Sequence, residues 1–296
     1  MKSEEPVRLL VFNGDCALDA FRKVGSPIEG ELLAWKEVYT EGPLPCDVSL
    51  EEFRRVRASF LANGVAPREF TAARLENHLR KMEETLFVCW EKQKEVTLFL
   101  DPCMFDCGIF ARILFLAEDF RKRRGIFPYV SFGCLDGVVY SKDSPFGELF
   151  AGRVKVEKLL LDMAGFLWEC YAKCLVPEES ILKKLPPFFA EGLIRRGAEN
   201  PEADEKYHLS RTERELLFIL KKRGTEGISP IDLFFALDEY EEFPFLGDTG
   251  CWRLLESLRK RGYILSSCPH SVASFTEEQL KSPVLFPGEK LFSMEF

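Results

Sequence analysis

The stretch Val7-Arg-Leu-Leu-Val-Phe-Asn-Gly-Asp15 decides the fold. A short apolar run ends in a Gly-Asp step, and Cys16-Ala-Leu-Asp-Ala-Phe-Arg-Lys-Val24 follows with helical spacing. A buried strand that turns sharply into a helix is the opening of an open parallel α/β sheet. Ligands on such sheets sit outside the carboxyl ends of the strands. Asn13, Gly14 and Asp15 therefore stand where a site is expected.

Outward from that turn the alternation repeats. Gly30-Glu-Leu-Leu-Ala-Trp35 reads as a second strand, Glu95-Val-Thr-Leu-Phe-Leu100 as a third and Phe127-Pro-Tyr-Val-Ser-Phe132 as a fourth. Ser49-Leu-Glu-Glu52 has the spacing of a capping box and opens a helix that Asn63-Gly64 stops. Pro67 begins a long helical region reaching about residue 93, and another helix runs from about 104 to 123 before Gly125. The loop from Lys36 to Pro45 is too rich in Gly and Pro to be regular. Strands alternating with helices predict a Rossmann-like, mostly parallel sheet with right-handed crossovers over residues 1–140.

Beyond residue 140 the strand signal fades. Helices are expected at 146–150, 156–174 and 187–196, and a polar break at 197–205 serves as a linker, so that 141–204 is a helical region. Three short helices follow, at 210–223, 229–241 and 248–261, and then Gly262-Tyr-Ile-Leu265 reads as a strand. Three helices and a strand are the outline of a winged helix, here residues 205–296.

Bulk properties bound the function classes. The 296 residues are 46% hydrophobic and 30% charged, which describes an ordinary folded chain. Its 27 phenylalanines predict aromatic-rich cores. A net charge of -8 argues against broad nonspecific nucleic-acid binding. No apolar run is long enough to span a bilayer, because Arg112 and Asp162 interrupt the best two. The acidic N-terminus lacks the apolar region of a signal peptide, so the ten cysteines read as reduced thiols in a cytoplasmic protein.

With parallel strands, Asp15, Glu37 and Asp101 fall just past strand ends on one rim, and Asp106 sits one turn into the helix after Asp101. Converging carboxylates hold a divalent cation or serve as general acid and base. The plainer reading makes Asp15 an N-cap before Cys16. Phe12-Asn-Gly-Asp-Cys-Ala17 has one glycine, so it is neither a dinucleotide fingerprint nor a P-loop. The helix N-terminus still offers an anion seat, although Asp15 repels an anion unless a metal intervenes. Trp35 and Arg57, with the loop that contains Gly42, form a ligand wall in which Trp stacks and Arg grips an anion. Alternatively Trp35 is core and Arg57 is salt-bridged. Cys103 and Cys107 are spaced i, i+4 at a helix start, where a thiolate is favoured, but no C-x-x-C completes a zinc set. In the last domain, Arg253, Arg259, Lys260 and Arg261 resemble a recognition helix, with nearby acids cancelling most of the charge.

Together, Asn13-Gly-Asp15, Trp35-Lys-Glu37, Glu41-Gly-Pro43 and Arg57 resemble the N-terminal signature of the bacterial domain-of-unknown-function family 1835. Leu209-Ser-Arg-Thr-Glu-Arg214 and Phe245-Leu-Gly-Asp-Thr249 are similar to its companion, family 3658. The sequence departs from the signature at Cys16, Glu37 and Cys107. The resemblance implies the domain layout and the rim as a site, and it supplies no reaction. Two functions are expected. One is an enzyme for a small anionic or nucleotide-like substrate, with Asp15, Glu37, Asp101 and Asp106 catalytic and Asn13, Gly14, Trp35, Gly42 and Arg57 binding. The other is a regulator or adaptor that senses a small-molecule ligand and contacts DNA or protein through residues 205–265.

Overall fold

In a computed structural model that describes residues 8–63, 70–135, 145–240, 246–268, 276–282 and 284–295, β1 (Arg8–Asn13) runs directly into α1 (Gly14–Val24). β2 (Glu31–Trp35), α2 (Leu50–Ala62), α3 (Ala72–Glu91), β3 (Glu95–Leu100), α4 (Met104–Arg124) and β4 (Val130–Cys134) follow. β1 pairs in parallel with β2 and β3, and β3 in parallel with β4. α5 (Phe146–Ala151) then leads to a two-residue strand, β5 (Val154–Lys155), antiparallel to β4. The sheet order is β2-β1-β3-β4-β5, so the expected mostly parallel α/β sheet is present.

The differences from the sequence reading are local. β4 starts after Pro128 rather than at Phe127, because proline cannot donate to a ladder. Pro67 lies outside the described residues, and α3 begins behind Thr71, whose side chain accepts from the Arg74 N–H. The single helix expected at 156–174 is broken into α6 (Lys158–Asp162) and α7 (Ala164–Ala172). At the break, Glu118 of α4 accepts the Gly165 N–H at 2.9 Å, which satisfies a donor that the second helix leaves open. α8 (Glu179–Leu182) and α9 (Pro187–Ala198) complete this part of the chain.

Alternation along β1 divides the core. Leu9 and Val11 face a thick layer built from α2, α3, α4, α6, α7 and α9, whereas Leu10 and Phe12 face α1 and Phe146. On that second face Phe12 stacks on Phe99 at 5.0 Å, with Phe21 and Phe146 against both. The helices after residue 145 share the thick core with the sheet. The first compact unit is Met1–Gly197. Arg112 lies buried in this core, 3.7 Å from the Phe53 ring centroid, and donates to Glu83 at 3.0 Å. Arg54 meets the other oxygen of Glu83 at 2.6 Å. No helix among the described residues is long and apolar enough to cross a membrane.

The second unit, Ala198–Phe296, holds α10 (Arg211–Arg223), α11 (Pro230–Tyr240), α12 (Asp248–Lys260), β6 (Ile264–Ser266), α13 (Glu277–Lys281), β7 (Leu285–Pro287) and α14 (Glu289–Phe292). The capping box expected at α2 is half formed, with Ser49 accepting from the Glu52 N–H while the Glu52 carboxylate meets Arg55; a full box opens α10, where Ser210 accepts from the Glu213 N–H and Glu213 accepts from the Ser210 N–H. Leu216, Leu220, Leu233, Leu255 and Leu285 form its core. β6 and β7 pair antiparallel, and Ile228 bridges Leu285 beside them.

Candidate ligand pocket

The turn from β1 into α1 is built by Asn13 and Gly14. Gly14 has φ +71°, a conformation that side-chain-bearing residues rarely adopt. Asn13 occupies the N-cap position, but its side chain does not cap the helix. Its Nδ2 donates instead to Asp106 Oδ1 across the sheet edge. The first turn of α1 is thus left without the side-chain acceptor that usually covers such donors. Asp15 is therefore not the cap. It lies inside the first turn, 61% exposed, and pairs with Lys36 at 2.6 Å.

A cavity of about 700 Å³ opens at this point, over the carboxyl ends of β1 and β2. Asn13, Gly14 and Asp15 line one side, Trp35 to Val38 the floor, and α3 the other side. Trp35 is a core residue whose Nε1 donates to the Tyr39 hydroxyl at 3.2 Å, yet it also contributes to the cavity wall. From α3 come Arg74, Asn77, His78 and Lys81, with Phe70 and Leu75 providing apolar surface. His78 Nε2 is buried without a partner. Burial pulls the pKa of His78 down, and the Lys36 charge adds to the effect, so the ring is neutral near pH 7. Lys36, Arg74 and Lys81 outnumber Asp15 and Glu37, and the cavity is cationic on balance.

Glu37 and Arg57 form a buried ion pair, Nη2 to Oε1 at 2.7 Å and Nε to Oε1 at 3.0 Å. Arg57 also donates to the carbonyls of Val38, Glu41 and Pro43. Its role is to fasten the Pro/Gly-rich loop from inside, and it is fully buried rather than turned toward a ligand. Gly42, at φ +74°, lies under the Phe60 ring, where an added Cβ would come within 2.6 Å, so it too serves the loop. Burial raises the Glu37 pKa while Arg57 pulls it down. Glu37 Oε2 faces no hydrogen-bond donor.

Asp101 and Asp106 meet at the end of β3. Asp106 Oδ2 accepts the Asp101 N–H at 2.6 Å while Oδ1 accepts from Asn13, so Asp106 braces the ends of β1 and β3 together. Burial drives the Asp101 carboxyl up to about 7. Burial, followed by the Asp101 charge, holds Asp106 well above the usual carboxylate range. The thiols behave in the same way. Burial pushes Cys103 and Cys107 up rather than favouring their thiolates, and Cys107 donates weakly to the Phe189 carbonyl. No disulfide joins any of the ten cysteines.

The four rim acids are therefore dispersed. Asp15 is exposed, Glu37 is paired with Arg57, and Asp101 and Asp106 are together below Asn13. Among the described residues no three His, Cys, Asp or Glu side chains are grouped to hold a metal ion. Lys36, Arg74, His78 and Lys81 were not singled out by the sequence reading. Arg74, Asn77, His78 and Lys81 recur at i, i+3, i+4 and i+7, a polar stripe that a solvated helix face also shows. No family model, curated protein or solved structure matches the chain.

Proposed function

We propose that the chain is an enzyme for a small anionic, nucleotide-like substrate bound in the cavity at the carboxyl ends of β1 and β2. The observation that carries this reading is the uncapped first turn of α1, which opens on a cavity of about 700 Å³ made cationic by Lys36, Arg74 and Lys81. Backbone N–H groups and the helix dipole favour an anion there. A cavity of this size with an apolar wall and a few polar groups suits a small ligand. His78, neutral and with an unpartnered Nε2, is the group positioned to exchange a proton with that ligand. Kinship with families 1835 and 3658 is part of the proposal, since the Asn13-Gly-Asp15 turn that lines the cavity belongs to the stretches that resemble family 1835, and Leu209-Ser-Arg-Thr-Glu-Arg214 to those similar to family 3658.

The test is thermal unfolding with inorganic phosphate, pyrophosphate and adenosine 5'-monophosphate, in wild type and in a Lys36→Ala/Arg74→Ala variant. Binding to the folded state raises the melting temperature by mass action. The expected result is a concentration-dependent rise in wild type that is largely lost in the variant. Wild type that responds to none of the three would refute the reading.

For the second unit we propose a winged-helix-like module that contacts protein rather than DNA. In favour are its element order and the bridge from Ile228 to the β6–β7 pair. Arg259 and Lys260 pair with Glu256, and Arg261 with Glu213, which consumes much of the basic face. Phe235, Tyr240, Leu265 and Phe292 are exposed. Tight duplex binding with a steep salt dependence, measured by fluorescence anisotropy, would overturn this assignment.

A further inference from the structure

Asn13 is built to cap α1 and does not. Its backbone, at φ -71° and ψ 92°, has the extended conformation of an N-cap. Asparagine is among the best capping residues, its side-chain oxygen accepting from the second or third N–H of the helix. Asn200 does this at nearly the same angles, φ -73° and ψ 111°, and accepts from the Glu202 N–H at 3.1 Å. Ser49, Thr71, Ser210 and Thr276 likewise cap the helices that follow them. The backbone of Asn13 therefore permits a cap, and the side chain is drawn elsewhere.

Asp106 draws it. This side chain is fully buried at the third position of α4. Its Oδ1 accepts from Asn13 Nδ2 and its Oδ2 from the Asp101 N–H, so N–H donors engage both oxygens. With the Asn13 amide committed to Asp106, no cap bond to α1 forms. The consequence falls on the cavity, which Asn13, Gly14 and Asp15 line beside Lys36. Arg74 and Lys81 line it from α3, with the Arg74 guanidinium 4.5 Å from the Phe70 ring centroid. Neither cation pairs with a carboxylate among the described residues, in a chain of net charge -8. These cations call for an anion independently of the helix. A capping oxygen on α1 would occupy the N–H groups that such an anion meets there.

We propose that Asp106 is a positioning residue for the cavity: it holds Asn13 off the first turn of α1 and so keeps that turn open to an anionic ligand. Asn13 is then a competitor held in check within the site. The proposal rests on the anionic-ligand reading above, and one titration series separates the two. Calorimetry on the full chain with inorganic phosphate, pyrophosphate and adenosine 5'-monophosphate compares wild type, Asp106→Ala and Asp106→Ala/Asn13→Ala. Without Asp106 the Asn13 side chain caps α1, and the ligand must displace it. Asp106→Ala should therefore bind about 5-fold more weakly than wild type, the equivalent of one cap. The double variant should regain most of that loss, whereas simple loosening of the β1 and β3 ends would be deepened by a second substitution. In Asp106→Ala the Asp15 and Cys16 amides should also exchange more slowly with solvent than in the double variant. Should Asp106→Ala fail to fold, Asn13→Ser and Asn13→Ala decide, because serine caps and alanine does not. The serine variant should bind about 5-fold more weakly than the alanine variant. Full affinity in Asp106→Ala, a loss that Asn13→Ala does not relieve, or equal affinity of the two Asn13 variants would overturn the role of Asp106 and leave the anion pocket standing. Failure of all three compounds to bind wild type would remove both readings.

Discussion

Replacing Asp101 with Asn should stabilise the first unit at pH 8 and bring no gain near pH 4. Asp101 is 3% exposed, and burial alone lifts its carboxyl from 3.8 to about 7. The fold thus prefers the protonated acid. Its contribution to stability is fully present below the ordinary carboxylate value and is lost as pH rises through about 7. A rise of about three units, at about 1.36 kcal/mol each, sets a ceiling near 4 kcal/mol. Local relaxation reduces this, so a gain of roughly 2–4 kcal/mol at pH 8 is expected. Asn keeps the shape and cannot ionise, and the Asp101 N–H bond to Asp106 is a backbone bond that survives the change. Burial and the Asp101 charge also raise the neighbouring Asp106 carboxyl, so the two titrate as a coupled pair over a broad range. Urea unfolding of both proteins at pH 4, 6 and 8 measures the difference. A gain independent of pH, or a loss at pH 8, would refute burial as the cause.

Two further outcomes follow from single residues. Arg57→Met should destabilise by about 3–5 kcal/mol, because it leaves Glu37 buried and uncompensated. Adding Glu37→Leu should recover part of the loss in a double-mutant cycle by urea unfolding. Ser210→Ala should cost about 1 kcal/mol by removing one half of the capping box. Calorimetric unfolding should show this loss in the second unit and leave the first unchanged.

The parallel sheet was legible because β1, β2 and β3 are dense apolar runs with clear turn chemistry at their ends, and Asn13-Gly14 marked the turn beside which the cavity opens. β5 and β7 escaped notice because strands of two and three residues carry no periodicity, whereas the equally short β6 was flagged by the Gly262 turn and the apolar Tyr263-Ile264-Leu265 run. Asp15, Glu37 and Asp101 were rightly placed near strand ends, yet their sequence neighbours say nothing of what each side chain meets. Glu37 finds Arg57 twenty residues away, and Asp106 finds Asn13 across the sheet. These pairings depend on the packing of α2 and α4, which no local pattern specifies. The α3 stripe is the converse case. Its residues were visible, but a polar helix face looks the same in sequence whether it meets water or a cavity.

The unequal coats on the sheet carry a consequence for how the cavity responds to occupation. α1 is held by the small cluster of Leu10, Phe12, Phe21, Phe99 and Phe146, while the opposite face lies under six helices. Opening free energy follows buried contact, so the smaller cluster predicts earlier amide exchange in α1 than in α3 or α4. One jaw of the cavity is therefore compliant and the other stiff. A ligand clasped between them tightens the compliant jaw, and part of its intrinsic affinity is spent on that ordering.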